Sequence, residues 1–450
     1  MNRATSPTRT PDRTPAWKLL WACLIGTALI VPLMMVYALV YDRESQSQTA
    51  QQAITEGWGG AQIVTGPVLV IPFTQDVTTT ETEDGTARTR ITRQRRELFV
   101  SPAMQSLATT IDPDRKGYAI YETVVYDAGL RGTARFDLPA KLDRLGVDRA
   151  TLRLDQAELR FGVSDPRGLK DDAAVSADGT GLRLQPGNGP AATGGSGFSA
   201  AVEWDGTAPL ALEWQYGLRG SHSLSFIPRG GESEWRITSA WQHPGFTGSF
   251  LPNSREVTAQ GFSASYDGIT NLALGKPLVA LEDDAGTMPA TIGLVDPVDL
   301  YSQVDRAVKY GFLFIGFTFA AFLMFDIVGG ARVASAEYLL TGAGLVLFFV
   351  LLLAFAEVIG FGWAYLVAAG AVIGLLTAYS AAVLGTWRRA GFIGAMLAGL
   401  YALLFVLLNM ETWSLLIGSL LLFAALAGIM YATRRVNWSG IGQTEGEVPA

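Results

Sequence analysis

Hydrophobic residues along this chain are gathered into six long runs, and most of the polar residues lie between the first run and the second. The first run covers residues 17–41. The other five cover about 307–327, 338–358, 362–384, 391–409 and 413–432. A helix needs roughly 20 apolar residues to cross a hydrocarbon core about 30 Å thick. The pattern therefore predicts about six transmembrane helices.

The first run differs from a cleaved signal peptide, which has a shorter apolar core and a small-residue cleavage site. It is followed at once by Asp42, Arg43 and Glu44. We therefore predict an uncleaved anchor, whose helix continues outward through residues 43–58. Residues 298–309 are predicted to lead back into the second membrane helix.

Positive charge predicts the orientation of these helices. With the N-terminus inside the cell, the cytoplasmic segments contain Arg3, Arg9, Arg13, Lys18, Arg332, Arg388, Arg389, Arg434 and Arg435. The two short outer joints contain no lysine or arginine. Because cytoplasmic loops of membrane proteins are enriched in positive charge, both termini are predicted to be cytoplasmic and residues 42–305 to lie outside.

The predicted fold class is mixed: a polytopic α-helical membrane protein with a large β-rich periplasmic domain between its first two membrane helices. The predicted domains are a disordered cytoplasmic tail (1–16), a transmembrane anchor (17–41), the periplasmic β-rich domain (42–305), a five-helix transmembrane bundle (306–433) and a cytoplasmic tail (434–450).

The region between the first two runs shows the alternation that is typical of half-buried strands. Large apolar residues alternate with polar or small ones in 210–218 and again in 235–241. Residues 83–85 are predicted to form the tip of a hairpin. We expect a sandwich or barrel-like domain, with two lobes if the glycine-rich segment 187–197 is a flexible loop.

Small residues recur at i, i+4 spacing in three of the C-terminal helices: Gly370, Gly374, Ala378 and Ala382; Gly391, Ala395 and Gly399; Ala424, Gly428 and Ala432. Small residues allow membrane helices to approach closely, so these stripes predict packing seams.

Ionisable residues are absent from the middle of the predicted C-terminal helices and lie at their ends, as Asp326, Glu357 and Glu411. This absence disfavours an ion-coupled transporter, which uses such residues near the membrane midplane. Glu357 at the outer end of the third helix is either a bundle site with a specific role or an ordinary interfacial carboxylate.

Composition and motifs offer little catalytic chemistry. The net charge of -7 disfavours nucleic-acid binding. The single cysteine, Cys23, lies in the first apolar run and cannot form an intrachain disulfide.

The chain contains no G-x-S-x-G elbow, Walker A loop, H-E-x-x-H motif or Cys/His cluster. Residues 187–192 fit G-x-G-x-x-A only loosely, and Pro190 favours a loop there. We expect no cofactor and no enzyme activity.

The two histidines are the remaining candidates for chemistry. His222 alternates in phase with Leu224 and Phe226, so we predict a structural side chain at the rim of the core. His222 and His243 could help to hold a metal, but no carboxylate has the spacing of a further ligand, so no metal site is predicted.

One stretch resembles a known family. Residues 243–266, HPGFTGSFLPNSREVTAQGFSASY, resemble the segment H-P-x-F-x-G-x-F-L-P-x-x-R-E-V-x-x-x-G-F of CreD. TGPVLVIPF at 65–73, DRAVKYGFLFI at 305–315 and YLLTGAGLVLFFVLLLAFAEVIGF at 338–361 resemble other parts of that family in the same order. The likeness covers the chain from the anchor to the last helix.

The resemblance implies an inner-membrane protein of the bacterial cell envelope, associated with envelope integrity, envelope stress and the CreBC regulon. It implies no reaction and no catalytic residue. It carries over by position only Gly66, Pro67, Pro72, His243, Pro244, Phe246, Phe250, Leu251, Pro252, Arg255, Glu256, Asp305, Arg306 and Lys309. In the 243–256 motif these residues either shape turns and a core, with Arg255 paired to Glu256, or form a surface that binds an envelope partner.

Three functions remain open at this point. The first is a non-enzymatic envelope protein, anchored in the lipid bilayer, whose outer domain binds a periplasmic protein, peptidoglycan or lipid. The second is a lipid-handling or transport protein. The third is a periplasmic hydrolase built on His222 or His243. The oligomeric state is not indicated by the sequence.

Overall fold

The computed structural model describes residues 15–83, 86–118, 121–139, 142–284, 286–294, 299–327, 333–409 and 414–434. Contacts divide the chain into two compact units, Met1–Ser47 with Val298–Ala450, and Gln48–Pro297. The predictions for the tails at 1–14 and 435–450, for the hairpin tip at Asp84 and Gly85, and for Arg332 and Glu411 lie outside the described residues.

The helices of the described residues are α1 (Pro15–Ala28), α2 (Ile30–Trp58), α3 (Asn271–Leu274), α4 (Leu300–Lys309), α5 (Gly311–Ile327), α6 (Ser335–Ile359), α7 (Phe361–Leu384), α8 (Trp387–Asn409) and α9 (Ser414–Thr433). The only prolines of the long described helices, Pro15 of α1 and Pro32 of α2, lie in first turns. Proline interrupts a helix because it lacks the backbone donor.

Five helical stretches of the described chain are long and apolar enough to cross a membrane: Leu19–Trp58, Leu300–Asp326, Ser335–Ile359, Phe361–Leu384 and Trp387–Asn409. They coincide with five of the six predicted membrane segments, and the sixth prediction falls on the apolar helix α9. Helix α2 continues to Trp58, and α4 begins at Leu300, as predicted for the segments that flank the inserted domain.

The strands of the described residues are β1 (Gln62–Glu83), β2 (Thr86–Val100), β3 (Met104–Tyr118), β4 (Tyr121–Phe136), β5 (Ala157–Val163), β6 (Ala174–Ala177), β7 (Thr180–Gly181), β8 (Leu184–Pro186), β9 (Gly197–Val202), β10 (Leu210–Ser221), β11 (Ser223–Ile227), β12 (Glu232–Ser239), β13 (Gly245–Gly248), β14 (Ser254–Thr258), β15 (Gly261–Thr270), β16 (Val279–Ala280) and β17 (Ala290–Gly293).

These strands form two sheets. In the first sheet the order is β13-β17-β11-β1-β5-β9-β8; β2 also pairs with β1, and β16 pairs with β2. In the second sheet the order is β14-β15-β12-β3-β4-β10-β6-β7. Most neighbours are antiparallel, but β1 pairs with β11 and β12 pairs with β3 in parallel. Both sheets contribute to one hydrophobic core, so the predicted sandwich is confirmed.

Strand β10 shows how the sequence produces this core. Its predicted apolar positions are all buried, namely Leu210, Leu212, Trp214, Tyr216 and Leu218. Side chains alternate across a strand, so one face of β10 enters the core while the residues between lie on the other face. The similar pattern that begins at Trp235 ends earlier than predicted, because β12 stops at Ser239.

The predicted hairpin near residue 84 is present in its two arms. Strands β1 and β2 are antiparallel, with a continuous register from Leu69 opposite Val100 to Glu83 opposite Thr86. The arms of the predicted hairpin are therefore paired as far as Glu83 and Thr86.

The glycine-rich segment 187–197 does not divide the domain. Gly189 and Pro190 are buried, and the backbone N–H of Ala191 donates to a carboxylate oxygen of Asp283 at 2.5 Å. The prediction of two lobes was wrong, because strands on both sides of this segment pack into the same core.

The predicted small-residue seams were also wrong for the described residues. Gly370, Gly374, Ala378 and Ala382 are all exposed along one side of α7. A methyl group added at Gly370, Gly374, Gly391, Gly399 or Gly428 would meet nothing within 4 Å. An i, i+4 spacing shows that residues share a helix face, but it does not show which face meets a neighbour.

The glycines that do pack lie elsewhere. A methyl group at Gly342 would come within 2.0 Å of Leu29, and one at Gly344 within 2.9 Å of Leu376. These contacts bring α6 against the anchor helix and α7. Glycines outside the predicted stripes therefore lie at close contacts between the described helices.

We predict that Gly132→Ala destabilises the protein and that Gly129→Ala does not. Both glycines lie on β4, but a methyl group at Gly132 would approach the Trp214 ring to 2.2 Å, whereas one at Gly129 would meet nothing within 4 Å. Overpacking of a rigid core side chain costs about 1–3 kcal/mol. Thermal unfolding of the full chain in detergent checks this, and equal melting temperatures for the two variants would contradict it.

Candidate functional site

The motif at 243–256 forms the outermost strands of both sheets. It contributes β13 to one end of the first sheet, and then β14 to one end of the second. β13 pairs only with β17, and β14 pairs only with β15, among the described strands. The short segment between Ser249 and Asn253 therefore carries the chain from one sheet edge to the other.

The start of the motif is fixed by a tryptophan. The indole N–H of Trp241 donates to the backbone oxygen of His243 at 3.0 Å. The His243 side chain is exposed, and Pro244 is half-buried. A proline at this point suits an edge strand, because its missing N–H removes no bond of the sheet interior.

Phe246 faces the space between the sheets. It lies opposite Ile292 of β17, and its ring meets the Phe262 ring edge-on at a centroid distance of 5.8 Å. The Arg255 guanidinium lies over the Phe246 ring at 5.7 Å, an arrangement that is stabilising because the ring face carries negative charge density. Phe250 also packs against the core. These aromatic residues hold the edge strands to the sandwich.

The predicted pairing of Arg255 with Glu256 was wrong in the described structure. Consecutive residues of a strand point to opposite faces. Arg255 points toward Phe246, while Glu256 lies on the outer face opposite Ser263.

The rest of the motif is open to solvent. Every residue of β14 is exposed, Leu251 is 66% exposed and Val257 is 49% exposed, while Pro252 is half-buried. The segment is nevertheless held in place: the Asn253 backbone N–H donates to the Ser265 oxygen at 2.8 Å, and its side-chain oxygen accepts from the Asp267 N–H at 2.8 Å.

A shallow depression lies beside β14. It is lined by Arg236, Ile237, Thr238, Ser254, Arg255, Glu256, Ser263, Ala264 and Ser265. Four of these nine side chains are small hydroxyls, and the lining comes from β12, β14 and β15. The two charged residues of β14 in this lining, Arg255 and Glu256, have opposite charges.

Register indicates which backbone groups face the open edge. A two-residue turn joins Thr258 to Gly261, and hydrogen-bonded pairs alternate with non-hydrogen-bonded pairs from that closing pair onward. Arg255 and Val257 therefore direct their backbone N–H and C=O groups away from β15. An unpaired edge of this kind can bind another strand.

The two histidines lie at the same end of the first sheet, but His222 is half-buried and His243 is exposed. His222 stands at the turn between β10 and β11 with a left-handed backbone, φ +60°, and its ring Nε2 lies 3.3 Å from the Thr123 hydroxyl. Its position supports the predicted structural role. His243 is exposed. Among the described residues no group of three potential metal ligands forms.

Glu357 lies at a junction of three helices. It accepts a hydrogen bond from the Tyr301 hydroxyl of α4 at 3.2 Å, and it lies 4.0 Å from the Arg43 guanidinium of α2. Its side chain is only 11% exposed, whereas that of Arg43 is 41% exposed. Glu357 is recognisable in the sequence as an acidic residue at a helix end, but its partners are not, because Tyr301 and Arg43 lie more than 50 residues away.

Other residues carried over from the resemblance take part in local structure, at a bulge of β1 and on the surface of α4. Strand β1 changes register between Thr65 and Val68, and a methyl group at Gly66 would overlap the Gln105 amide at 2.1 Å. Lys309 pairs with Asp305 at 2.6 Å. The G-P and D-R-A-x-K patterns thus shape a bulge and a helix surface.

Comparison with known proteins agrees with this architecture. Residues 14–439 match the family model described as inner membrane protein CreD. The chain is 32% identical over 438 residues to the inner membrane protein CreD of Escherichia coli strain K12, covering 94% of this chain and 93% of that protein.

We predict that acid destabilises the protein partly through His222. Burial lowers the pKa of this imidazole, so on acidification the unfolded chain takes up a proton before the folded one. Stability should therefore fall as pH drops below about 6.5, the ordinary histidine value. His222→Asn, which tolerates a positive φ, should flatten that fall in thermal unfolding measured from pH 7.5 to pH 5 at roughly half-unit steps.

His243→Asn is the matched control, because it removes an exposed imidazole. An unchanged pH dependence in His222→Asn would contradict the assignment.

We predict that Glu357→Leu lowers stability more than Glu357→Gln. The glutamine keeps an acceptor for Tyr301 and loses only the charge facing the partly exposed Arg43, which is worth less than about 1 kcal/mol. The leucine also loses the hydrogen bond, a further loss of about 1 kcal/mol. Melting temperatures of the two variants in detergent test this, and a greater loss in the glutamine variant would refute it.

Proposed function

The chain belongs to the CreD family of inner membrane proteins, and on that basis we propose that it supports cell envelope integrity by binding an envelope partner through its β-sandwich. The observation that carries the proposal is the position of the 243–256 motif. The stretch from His243 to the end of β14 supplies an open edge to each of the two sheets and exposes Leu251 and Val257 there.

The proposed orientation has both termini in the cytoplasm and the sandwich in the periplasm. Support comes from the arginines of the short joints. Arg388 and Arg389 follow α7 at the end that would face the cytoplasm, whereas the joint at Gly360 between α6 and α7 carries no positive charge. The partner would then be found in the periplasm or at the membrane surface.

The proposed mode of binding is addition of a strand to β14. Exposed edges of sheets are normally shielded by prolines, bulges or lysines, because they attract other strands. β14 has no proline and no lysine, and every one of its residues is exposed. An extended polypeptide segment of a periplasmic protein would satisfy the outward backbone groups of β14 and cover Val257.

Charge makes a second copy of this chain a poorer partner. Only one antiparallel register pairs all five residues of β14 with themselves, and it sets Glu256 opposite Glu256 of the other copy. Like charges directly opposite are destabilising. A partner segment with a basic side chain at that place would fit better.

We propose a binding role rather than a catalytic one. His222 is engaged with Thr123, and His243 is exposed at the motif. The hydrolase alternative predicts that replacement of either histidine by alanine abolishes envelope tolerance in a null strain. The transport alternative predicts that Glu357→Gln abolishes envelope tolerance in the same strain. Our proposal expects tolerance to survive all three substitutions.

Crosslinking in cells tests the proposed surface. A photoreactive residue at Leu251 of the full chain should capture one discrete periplasmic protein. Leu251 is preferable to Phe246, because Phe246 faces Phe262 inside the sandwich edge. The matched control is Glu213, which is exposed on β10 away from either edge. Capture of glycan or lipid alone, or equal capture from both positions, would overturn the proposal of a polypeptide partner.

The strand-addition mode has its own test. Val257→Pro removes one outward N–H without removing a bond to β15, so the captured product should fall about tenfold while the melting temperature stays near that of the parent. Val257→Thr, which keeps the N–H, should retain capture. Full capture by a folded Val257→Pro protein would exclude strand addition at β14.

A further inference from the structure

Five buried hydroxyl side chains in the helical bundle lack hydrogen-bond partners within the described chain. They are Thr318 of α5, Tyr338 and Thr341 of α6, Ser380 of α7 and Tyr401 of α8, each at most 4% exposed. The Thr377 hydroxyl, one turn from Ser380, is also without a partner there.

Contacts between the helices place these groups around the same interior. The Tyr338 ring packs against Phe319 and Phe322 of α5, which follow Thr318 by one and four positions. Leu376 of α7 packs at Gly344 of α6. Because α6 and α7 are antiparallel neighbours, Thr341 and Ser380 lie one turn beyond that contact on the facing sides.

An aromatic layer closes one end of this interior. It consists of Phe314, Phe348, Tyr365 and Tyr401, with ring centroids 4.6 Å apart for Phe314 and Tyr401 and 4.5 Å apart for Phe348 and Tyr401. The Tyr365 hydroxyl donates to the Tyr401 backbone oxygen at 2.7 Å, which ties α7 to α8. Thr318 lies one turn past Phe314 on α5, on the side of the layer away from Gly311.

A carboxylate marks the other end. Asp326 lies two turns past Thr318 on α5, is 3% exposed, and accepts from the Val333 N–H at 3.4 Å. The interior between Asp326 and the aromatic layer is therefore lined by hydroxyls on three helices, with large apolar residues between them.

Hydroxyls of membrane helices usually satisfy themselves by donating to the backbone of the preceding turn. Thr27 does so, donating to the Cys23 oxygen at 2.9 Å, and Ser419 donates to the Leu416 oxygen at 2.9 Å. Thr318, Thr341 and Ser380 make no such bond. A buried polar group without a partner is unfavourable, and grouped ones are typical of a site that holds water.

We propose that the bundle contains a hydrated polar site between Asp326 and the aromatic layer. Its ligand is water, a small neutral molecule that both donates and accepts hydrogen bonds. The lining suits a neutral ligand, because hydroxyls supply both roles and carry no charge. The site lies in the membrane unit, and its existence does not depend on partner binding by the sandwich.

Cysteine accessibility tests the site. In a Cys23→Ser background, single variants Thr318→Cys, Thr341→Cys and Ser380→Cys are placed in lipid nanodiscs, where both faces meet solvent. Each is treated with a small hydrophilic methanethiosulfonate reagent. Modification should be about tenfold faster than at Leu352→Cys, since thiol reactivity depends on access of water and reagent.

Leu352 is a matched control because it is fully buried on the same helix as Thr341 but lies beyond Phe348, across the aromatic layer. Ser380→Cys is nearly isosteric, so that variant should fold even if another does not. Melting temperatures identify the folded variants. Rates at Thr341→Cys and Ser380→Cys equal to that at Leu352→Cys would show a dry interior and overturn the proposal.

Discussion

Aromatic contacts between the two sheets are the interaction on which the inserted domain depends. Phe161 of the first sheet meets Trp214 of the second at 5.8 Å, and Phe226 meets Trp235 at 5.6 Å. Aromatic pairs bury large areas and prefer such tilted or edge-on arrangements. They bury one face of each of these four strands in the core between the sheets.

The chain changes sheets repeatedly, and two of these crossings coincide with residues of interest. At His222 a left-handed residue turns β10 of the second sheet into β11 of the first. Between Ser249 and Asn253 the chain passes from β13 of the first sheet to β14 of the second. The second crossing leaves two edge strands unprotected, and the candidate binding surface follows from that topology.

Local sequence patterns predicted the helices and strands, whereas contacts between distant residues determined how they pair and pack. The alternation at Leu210 to Leu218 and the apolar runs depend only on neighbouring residues, and the corresponding strand and helices are present. The parallel pairing of β1 with β11 joins residues far apart in sequence, so no local pattern carries it. Motif residues such as Phe246 and Arg255 were identified by resemblance, but their contact with each other depends on the meeting of two sheets. In the bundle, likewise, the spacing of the small residues that begin at Gly370 did not show that this stripe is exposed.

The central claim is that the sandwich meets its partner outside the cytoplasm. Thiol labelling directly tests the location of the sandwich that this claim requires. Gln260 is exposed in the turn beside β14, and Thr386 is exposed in the joint between α7 and α8. Single cysteines at these positions, in a Cys23→Ser background, are treated in spheroplasts with a maleimide that cannot cross the membrane. The account predicts labelling at Gln260→Cys in intact spheroplasts and at Thr386→Cys only after lysis. The reverse pattern would contradict it.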